Sequence, residues 1–238
     1  MKVEFLLSSL LPLYSFTAWS AIGHSGGLAI GWKKSSIQCT NSWGSSFGIG
    51  AQLCWEETNA TLTIVNIYGP YSNRSKLWDS FRKSGFVKEI ILIIVGDLNF
   101  NLGAHEIWGP KARRDPLAPY FSNLMMESKL VDVDPQILKP TWSNRRVGEE
   151  RIEKRLDIFM LSEDLLEEYF MFKQWVDSGA DSDHLSICLE LQKQPKISVS
   201  PFKFCSAWLK NEEVIQLIQS NWLPYQEGNG TRAAIHFS

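Results

Sequence analysis

The stretch "IILIIVGDLNFN", residues 90–101, decides the fold class. Its apolar run from Ile91 to Val95 is typical of a strand that is buried on both faces. Gly96 ends the run, and Asp97 and Asn99 follow at once, so the strand would deliver a carboxylate and a carboxamide to its end. The same residues also form ordinary turns, because Asp and Asn bond to their own backbone. The motif alone therefore leaves a functional site and a simple turn as alternatives.

Composition places the chain among ordinary globular proteins. With 238 residues, 44% of them hydrophobic and 21% charged, one domain plus a tail is expected. The net charge of −2 creates no global positive field, so a nucleic-acid partner would have to meet a local basic patch. The four cysteines show no metal-binding spacing with the four histidines, which favours reduced thiols in an intracellular protein, nuclear or cytoplasmic, over a secreted one.

Hydrophobic periodicity predicts an α/β layered fold with hairpin connections, rather than a plain alternation of parallel strands and helices. Helices are predicted at 73–85, in "DPLAPYFSNLMMESKL", near 163–168 and in "NEEVIQLIQSNWL". Strands are predicted in "GGLAIGW", "FGIGAQLCW", "ATLTIVNIY", "IILIIV", "RLDIFML", "YFMFKQWV" and "HLSICLEL".

The chain divides into three predicted segments. Residues 1–22 are apolar, and we interpret them as a remnant strand; the alternative is a signal peptide, although Glu4 and Pro12 interrupt the pattern. The run is too short and too interrupted to span a membrane. Residues 23–192 form the predicted domain, and residues 193–238 are predicted to be a linker followed by a separate helix.

Polar residues also occur within one predicted apolar strand and at the start of another. Asp157 lies inside "RLDIFML", and Asp183 and His184 open the last strand. An acid in a buried strand is destabilising unless it is paired or binds a metal, so Asp157 would either orient His184 or form an ion pair with Arg155. Asp183 and His184 would belong either to a site or to a simple loop cap.

If these strand ends meet at one edge, they assemble carboxylates, a carboxamide and an imidazole. This donor set suits a hard divalent cation such as Mg²⁺. An imidazole oriented by Asp157 could move protons, and Asn99 could donate a hydrogen bond to a developing oxyanion or to a nucleophilic water. Serine-hydrolase, zincin and Walker motifs are absent from the sequence.

Five motifs in chain order resemble the endonuclease/exonuclease/phosphatase superfamily, and most closely the endonuclease domain of plant LINE-type non-LTR retrotransposons. They are "NIYGP" (66–70), "GDLN" (96–99), "TWSNRR" (141–146), "RLDIF" (155–159) and "SDH" (182–184). "SGGLAIGW" (25–32) resembles a glycine-rich strand of those domains, and "PFKFCSAWL" (201–209) the segment that precedes a reverse transcriptase.

The resemblance implies a DNase-like four-layer fold, a two-sheet β-sandwich flanked by helices, and DNA nicking that depends on Mg²⁺ or Mn²⁺. DNA would be the partner, with no membrane and no obligate protein partner. Carried over by motif, the catalytic residues would be Tyr68, Asp97, Asn99, Asp157 and His184. Asp183 would help to hold the metal. The DNA backbone would contact Trp142, Asn144, Arg145 and Arg146.

The sequence departs from the family pattern at its start. Two strands of the family pattern have no counterpart before Ser25. One is a first strand that carries an asparagine, and the other contains Gln-Glu-Thr, whose glutamate is the principal metal ligand. Glu4 and Glu56 do not replace this glutamate, because the residues around them do not match that strand. We therefore expect an N-terminally truncated endonuclease domain that lacks the first strands and has impaired activity. The alternatives are a non-catalytic remnant that binds nucleic acid weakly at most, and a phosphatase of the same superfamily.

Overall fold

The computed structural model describes residues 3–20, 27–45, 48–83, 91–177, 182–193 and 212–221. The chain divides into two compact units, Met1–Gln194 and Pro195–Ser238. The helices are α1 (Val3–Leu10), α2 (Arg74–Lys83), α3 (Ala118–Glu127), α4 (Glu163–Glu168) and, in the second unit, α5 (Glu212–Asn221). The strands are β1 (Tyr14–Trp19), β2 (Leu28–Lys33), β3 (Ile37–Gly44), β4 (Gly48–Trp55), β5 (Thr61–Ile67), β6 (Leu92–Asp97), β7 (Ile107–Trp108), β8 (Leu130–Asp132), β9 (Trp142–Ser143), β10 (Glu153–Lys154), β11 (Asp157–Ser162), β12 (Tyr169–Val176) and β13 (Ile187–Lys193).

A six-stranded sheet in the order β3-β4-β5-β6-β11-β8 forms the centre of the first unit. β5 and β6 are parallel, whereas the other neighbouring strands in this sheet are antiparallel. Leu92 and Ile94 of β6 pack into the core on one face, while Ile93 packs into a second core on the other. The prediction of a strand buried on both faces is therefore confirmed.

Helices cover one face of this sheet. α2 and α3 contribute the aromatic residues Trp78, Phe81 and Phe121 to the main core. Phe100 stacks on Phe121 with ring centroids 4.0 Å apart, and both rings meet Trp78 edge to face. Because Phe100 belongs to the turn after β6, this packing anchors the segment that carries the polar site residues.

Two β-ribbons cover the opposite face. The β1–β2 ribbon contributes Ile30, which packs with Ile49 of β4. The β12–β13 ribbon packs Leu189 and Leu191 against the core that contains Ile93. Together with the helices, these ribbons give two β layers flanked by helices, which confirms the expected DNase-like class.

The structure also contains elements that the periodicity did not indicate. α1 precedes β1 in the apolar first segment, and β1 pairs with β2 in an antiparallel ribbon. β3 was not predicted, because it lies at the edge of the sheet and exposes polar residues such as Gln38 and Asn41. Across the described ranges, no helix is long and apolar enough to cross a membrane. The predicted helix end at Gly85 and the segment 201–209 lie outside the described residues.

Candidate active site

Two carboxylates lie side by side at the end of the central sheet. Asp97 of β6 and Asp157 of β11 are direct register partners in the antiparallel pair. Asp157 Oδ2 lies 2.9 Å from Nδ1 of His184, and Nε2 of the same ring lies 3.8 Å from Asp97 Oδ2. The structure thus brings three residues from distant parts of the sequence into one cluster, with the imidazole between the two acids.

Thr141, to which the sequence analysis gave no role, ties this cluster together. Its buried hydroxyl oxygen accepts hydrogen bonds from the backbone N–H groups of Leu156 and Asp157, each at 2.9 Å. Its carbonyl accepts a hydrogen bond of 2.7 Å from the N–H of Leu185. Thr141 therefore fixes the start of β11 relative to the segment that carries His184. The signal for it in the sequence is that it opens the motif "TWSNRR".

Asn99 sits in the turn after β6 with a left-handed backbone, φ 54°, which asparagine tolerates better than most residues. Its backbone N–H donates to Asp97 Oδ1 at 3.1 Å. Its side-chain amide donates to Asp97 Oδ2 at 3.3 Å and to the carbonyl of Gly69 at 2.6 Å. Arg74 donates to the Asn99 carbonyl at 2.8 Å. The carboxamide nitrogen is thus engaged twice, which leaves its oxygen as the acceptor that a water or a cation can meet.

The segment after β5 lies against the same turn. The N–H of Gly69 donates to the Asp97 carbonyl at 2.6 Å, and Tyr68, just before it, is 46% exposed. Asn66 was not singled out as a site residue, yet its amide donates to the carbonyl of Ala29 at 3.3 Å and so links β5 to β2. Tyr68 is therefore exposed at the surface, directly before the residue that bonds to Asp97.

The hairpin of β9 and β10 adjoins the histidine. Trp142 forms an isolated β-bridge with His184, and its indole N–H donates to Asp183 Oδ2 at 3.0 Å. The backbone N–H of Ser143 donates to the Asp183 carbonyl at 3.0 Å. The half-buried Trp142 thus positions Asp183 and is not a residue of the main core.

A cavity of about 460 Å³ opens beside this hairpin. The Asn144 side chain closes the hairpin loop, since its amide donates to the Glu150 carbonyl at 2.7 Å and its oxygen accepts from the N–H groups of Arg146 and Ile152. The Asn144 side chain therefore stabilises the hairpin loop, whereas the Arg146 side chain is exposed at the edge of the cavity. The cavity is lined by Trp142, Ser143, Asn144, Arg145, Arg146, Ser182 and Asp183.

The electrostatics of the cluster follow from its geometry. Burial, reinforced by the charge of Asp157, raises the pKa of Asp97 to about 6. The hydrogen bond from His184 to the Asp157 carboxylate raises the pKa of His184 and outweighs the opposing effect of burial. The charge of Asp157 contributes to both shifts, and a cation or an imidazolium at this edge would offset the repulsion between the two carboxylates.

The alternative partner of Asp157 proves wrong. Arg155 is buried and bonds Glu106 Oε1 at 2.7 Å and Asp132 Oδ1 at 2.6 Å. Both of its terminal nitrogens bond to this acidic pair, and one of them also donates to the Val133 carbonyl at 3.3 Å. Asp157 is left to pair with His184.

The donor set fits only one mode of metal binding. Within the described ranges, no group of three or more His, Cys, Asp or Glu side chains is arranged to hold a metal ion. Mg²⁺, however, commonly binds through one or two carboxylates together with waters and substrate phosphates. The oxygens of Asp97, Asn99 and Asp183 suit that mode and do not form a complete protein cage.

A scan against protein-family models finds no match, and neither does a search of the curated proteins. Solved structures do match. The endonuclease domain of TRAS1, a telomere-specific non-LTR retrotransposon, aligns with a TM-score of 0.57 and 13% identity over 80% of this chain and 91% of that one. The AP endonuclease LMAP from Leishmania major aligns with a TM-score of 0.53 and 16% identity over 77% and 71%.

An endonuclease/exonuclease/phosphatase family protein from Bacteroides thetaiotaomicron aligns with a TM-score of 0.54 and 12% identity over 79% and 78%. Likeness at these identities concerns the fold, so the chemistry has to be argued from the residues of the site. The chain therefore has the endonuclease/exonuclease/phosphatase fold that the sequence motifs predict, the fold it shares with a retrotransposon endonuclease domain.

Proposed function

We propose that the chain is a phosphodiesterase that nicks DNA, and that its site is the Asp97–His184–Asp157 cluster. The observation that carries the proposal is the imidazole held at 2.9 Å by one carboxylate, with its other nitrogen 3.8 Å from a second carboxylate. Two oriented proton-transfer groups at one sheet edge are what hydrolysis by an activated water requires. The exposed arginines beside the cavity favour a polyanionic substrate over a small neutral one.

Each residue has a distinct part in the proposed reaction. Asp97 accepts the proton of the attacking water, which the carboxamide oxygen of Asn99 helps to position. As the water oxygen bonds to phosphorus, the P–O bond to one DNA strand end breaks, and the leaving oxygen takes up a proton from solvent water. Asp157 holds the His184 ring so that Nε2 can stabilise charge on the phosphate oxygens. Tyr68, exposed beside the turn, contacts the scissile phosphate.

The proposed cofactor is Mg²⁺ or Mn²⁺, which the Asp183 carboxylate would help to hold and which would neutralise part of the phosphate charge. This part of the proposal is supported by the concentration of acids around Asp97, since the charges of both Asp157 and Asp183 act on its carboxyl.

A second candidate function is a non-catalytic nucleic-acid-binding protein. It is favoured by one observation, namely that the described part of the chain holds no three-donor metal group. Such a protein would bind DNA through the basic residues beside the cavity and release it as salt rises, independently of metal.

The test is the relaxation of supercoiled plasmid by the purified chain, with Mg²⁺ and with chelator. His184→Ala should abolish the nicking, whereas His105→Ala, which alters an exposed histidine of a 3₁₀ turn, should not. A chromogenic phosphomonoester assayed in parallel identifies a phosphatase. Equal plasmid relaxation by wild type and His184→Ala, in protein shown to be folded, would refute the proposed site.

A further inference from the structure

Two loops leave the same edge of a small sheet next to the site. In the order β7-β10-β9, Trp108 at the end of β7 is paired with Glu153, which in turn is paired with Ser143 at the end of β9. The loop 109–114 follows β7, and the hairpin loop 144–152 follows β9. Because these residues are register partners, both loops emerge side by side.

The two loops are in direct contact. Lys111 forms an ion pair with Glu150 across the gap between them. Gly109 has a φ of 123°, and a Cβ built there would lie 2.1 Å from the carbonyl oxygen of Arg151. This approach leaves no room for a side chain at position 109. The loops therefore form one surface.

That surface is strongly basic in a chain whose net charge is −2. Each loop carries an Arg-Arg pair. Against six cations stand Glu149 and Glu150 of the loops and Glu153, which pairs with Arg151, so a local charge of +3 remains. Arg146 is 68% exposed and lies 3.8 Å from the Glu150 carboxylate, whereas within the described ranges no ion pair involves Arg113 or Arg114. We call this surface the arginine rim, which consists of Lys111, Arg113, Arg114, Arg145, Arg146 and Arg151.

A continuous path joins the arginine rim to the cluster. Trp142 bridges to His184 on one side and begins the hairpin on the other, and the cavity lies along this path. Exposed arginines on loops are frequently only solvated, but here both pairs occupy contacting loops on the side of the molecule where the cluster lies. Guanidinium groups bind phosphate oxygens in forked geometry, so a row of them matches a phosphate backbone.

We propose that the arginine rim is a second contact site for the backbone of a nucleic-acid duplex, and that it holds phosphates beyond the one at the cluster. The inference rests on the proposed function, since it takes the duplex that is cut at Asp97 and His184 as the molecule held. Its new content is the loop 109–114, which the sequence motifs did not assign to binding.

The experiment measures binding without catalysis. The His184→Ala protein, in chelator, is titrated with a labelled duplex of about three helical turns, roughly 30 base pairs, across a series of salt concentrations. Adding Arg113→Ala and Arg114→Ala should reduce the slope of log affinity against log salt by about 0.9 for each phosphate that is no longer neutralised. At 0.1 M salt this corresponds to binding weaker by on the order of 10- to 100-fold.

The matched control is Lys33→Ala with Lys34→Ala, which removes the same charge from exposed residues around the end of β2. It should leave the slope nearly unchanged, and Arg113→Lys with Arg114→Lys should preserve it. Equal slopes in the rim variant and the control would overturn the inference, even if plasmid nicking is robust. A reduced slope in the rim variant would support it even if nicking fails, which separates the two proposals.

Discussion

Asp157 Oδ2 and His184 Nδ1 lie 2.9 Å apart, although the residues come from a central strand and from the segment that leads into the last ribbon strand. This contact fixes the orientation of the imidazole, and the hydrogen bond is the largest reason for the raised pKa of His184. Asp157→Asn should lower that pKa, because the ring loses a charged acceptor. A proton NMR titration of the metal-free protein checks this. An unchanged His184 titration would mean that the contact does not persist in solution.

Asn99→Gly should reduce nicking by about 10²- to 10³-fold, because it removes a group that positions the reacting water. Glycine suits the left-handed backbone of this turn, so the variant keeps the main-chain geometry. The measurement is the initial rate on plasmid DNA, with thermal unfolding as a check of the fold. Full activity in this variant would remove Asn99 from the proposed site.

Arg155→Met should lower the free energy of unfolding by about 3–5 kcal/mol, because it leaves Glu106 and Asp132 buried without their cation. Urea unfolding measures the change. Arg151→Met is the matched control, since the Arg151 side chain is 57% exposed and its pair with Glu153 should contribute about 1 kcal/mol or less. Equal effects of the two substitutions would contradict the assignment of Arg155 as the buried centre of this network.

Gly96→Ala should destabilise the fold by about 2–5 kcal/mol, because its φ of 133° disfavours side chains and the new Cβ would meet the carbonyl oxygen of Ile67 at 2.2 Å. Gly148→Ala is the control. Gly148 also has a positive φ, 62°, but nothing lies within 4 Å of the added atom, so about 1 kcal/mol is expected. Chemical denaturation of both variants tests whether the close approach, and not the backbone angle alone, requires Gly96.

The ion pair between Arg74 and Asp115 should make the stability of the protein depend on pH. Burial alone would raise the pKa of Asp115, but hydrogen bonds from Arg74 and from the Leu117 amide outweigh burial and lower the pKa. A lowered folded-state pKa gives stability that is present above the unfolded value, near 4, and is lost as the pH falls through the folded value. Arg74→Met should therefore destabilise the protein at pH 7 and progressively less below about pH 4. A constant difference across this range, measured by urea unfolding, would contradict the ion pair.

Much of the secondary structure could be predicted from the sequence because burial imposes local periodicity. The run from Ile91 to Val95 predicted the central strand, and the acidic helix near 163–168 lies where the pattern placed it. β3 was not predicted because an edge strand buries one face incompletely and therefore lacks a clear alternation of apolar and polar residues.

Local sequence showed which polar residues interrupt or flank the strands. Together with the family resemblance, it predicted that Asp97, Asn99, Asp157 and His184 carry the chemistry. Strand pairing was needed to decide that Asp157 meets His184 and not Arg155, because register sets which side of the sheet each side chain faces. The position of Thr141 and the contact between the two arginine loops likewise depend on pairing between distant segments. Such pairing leaves no trace in local periodicity, since it depends on which strands become neighbours in the folded sheet.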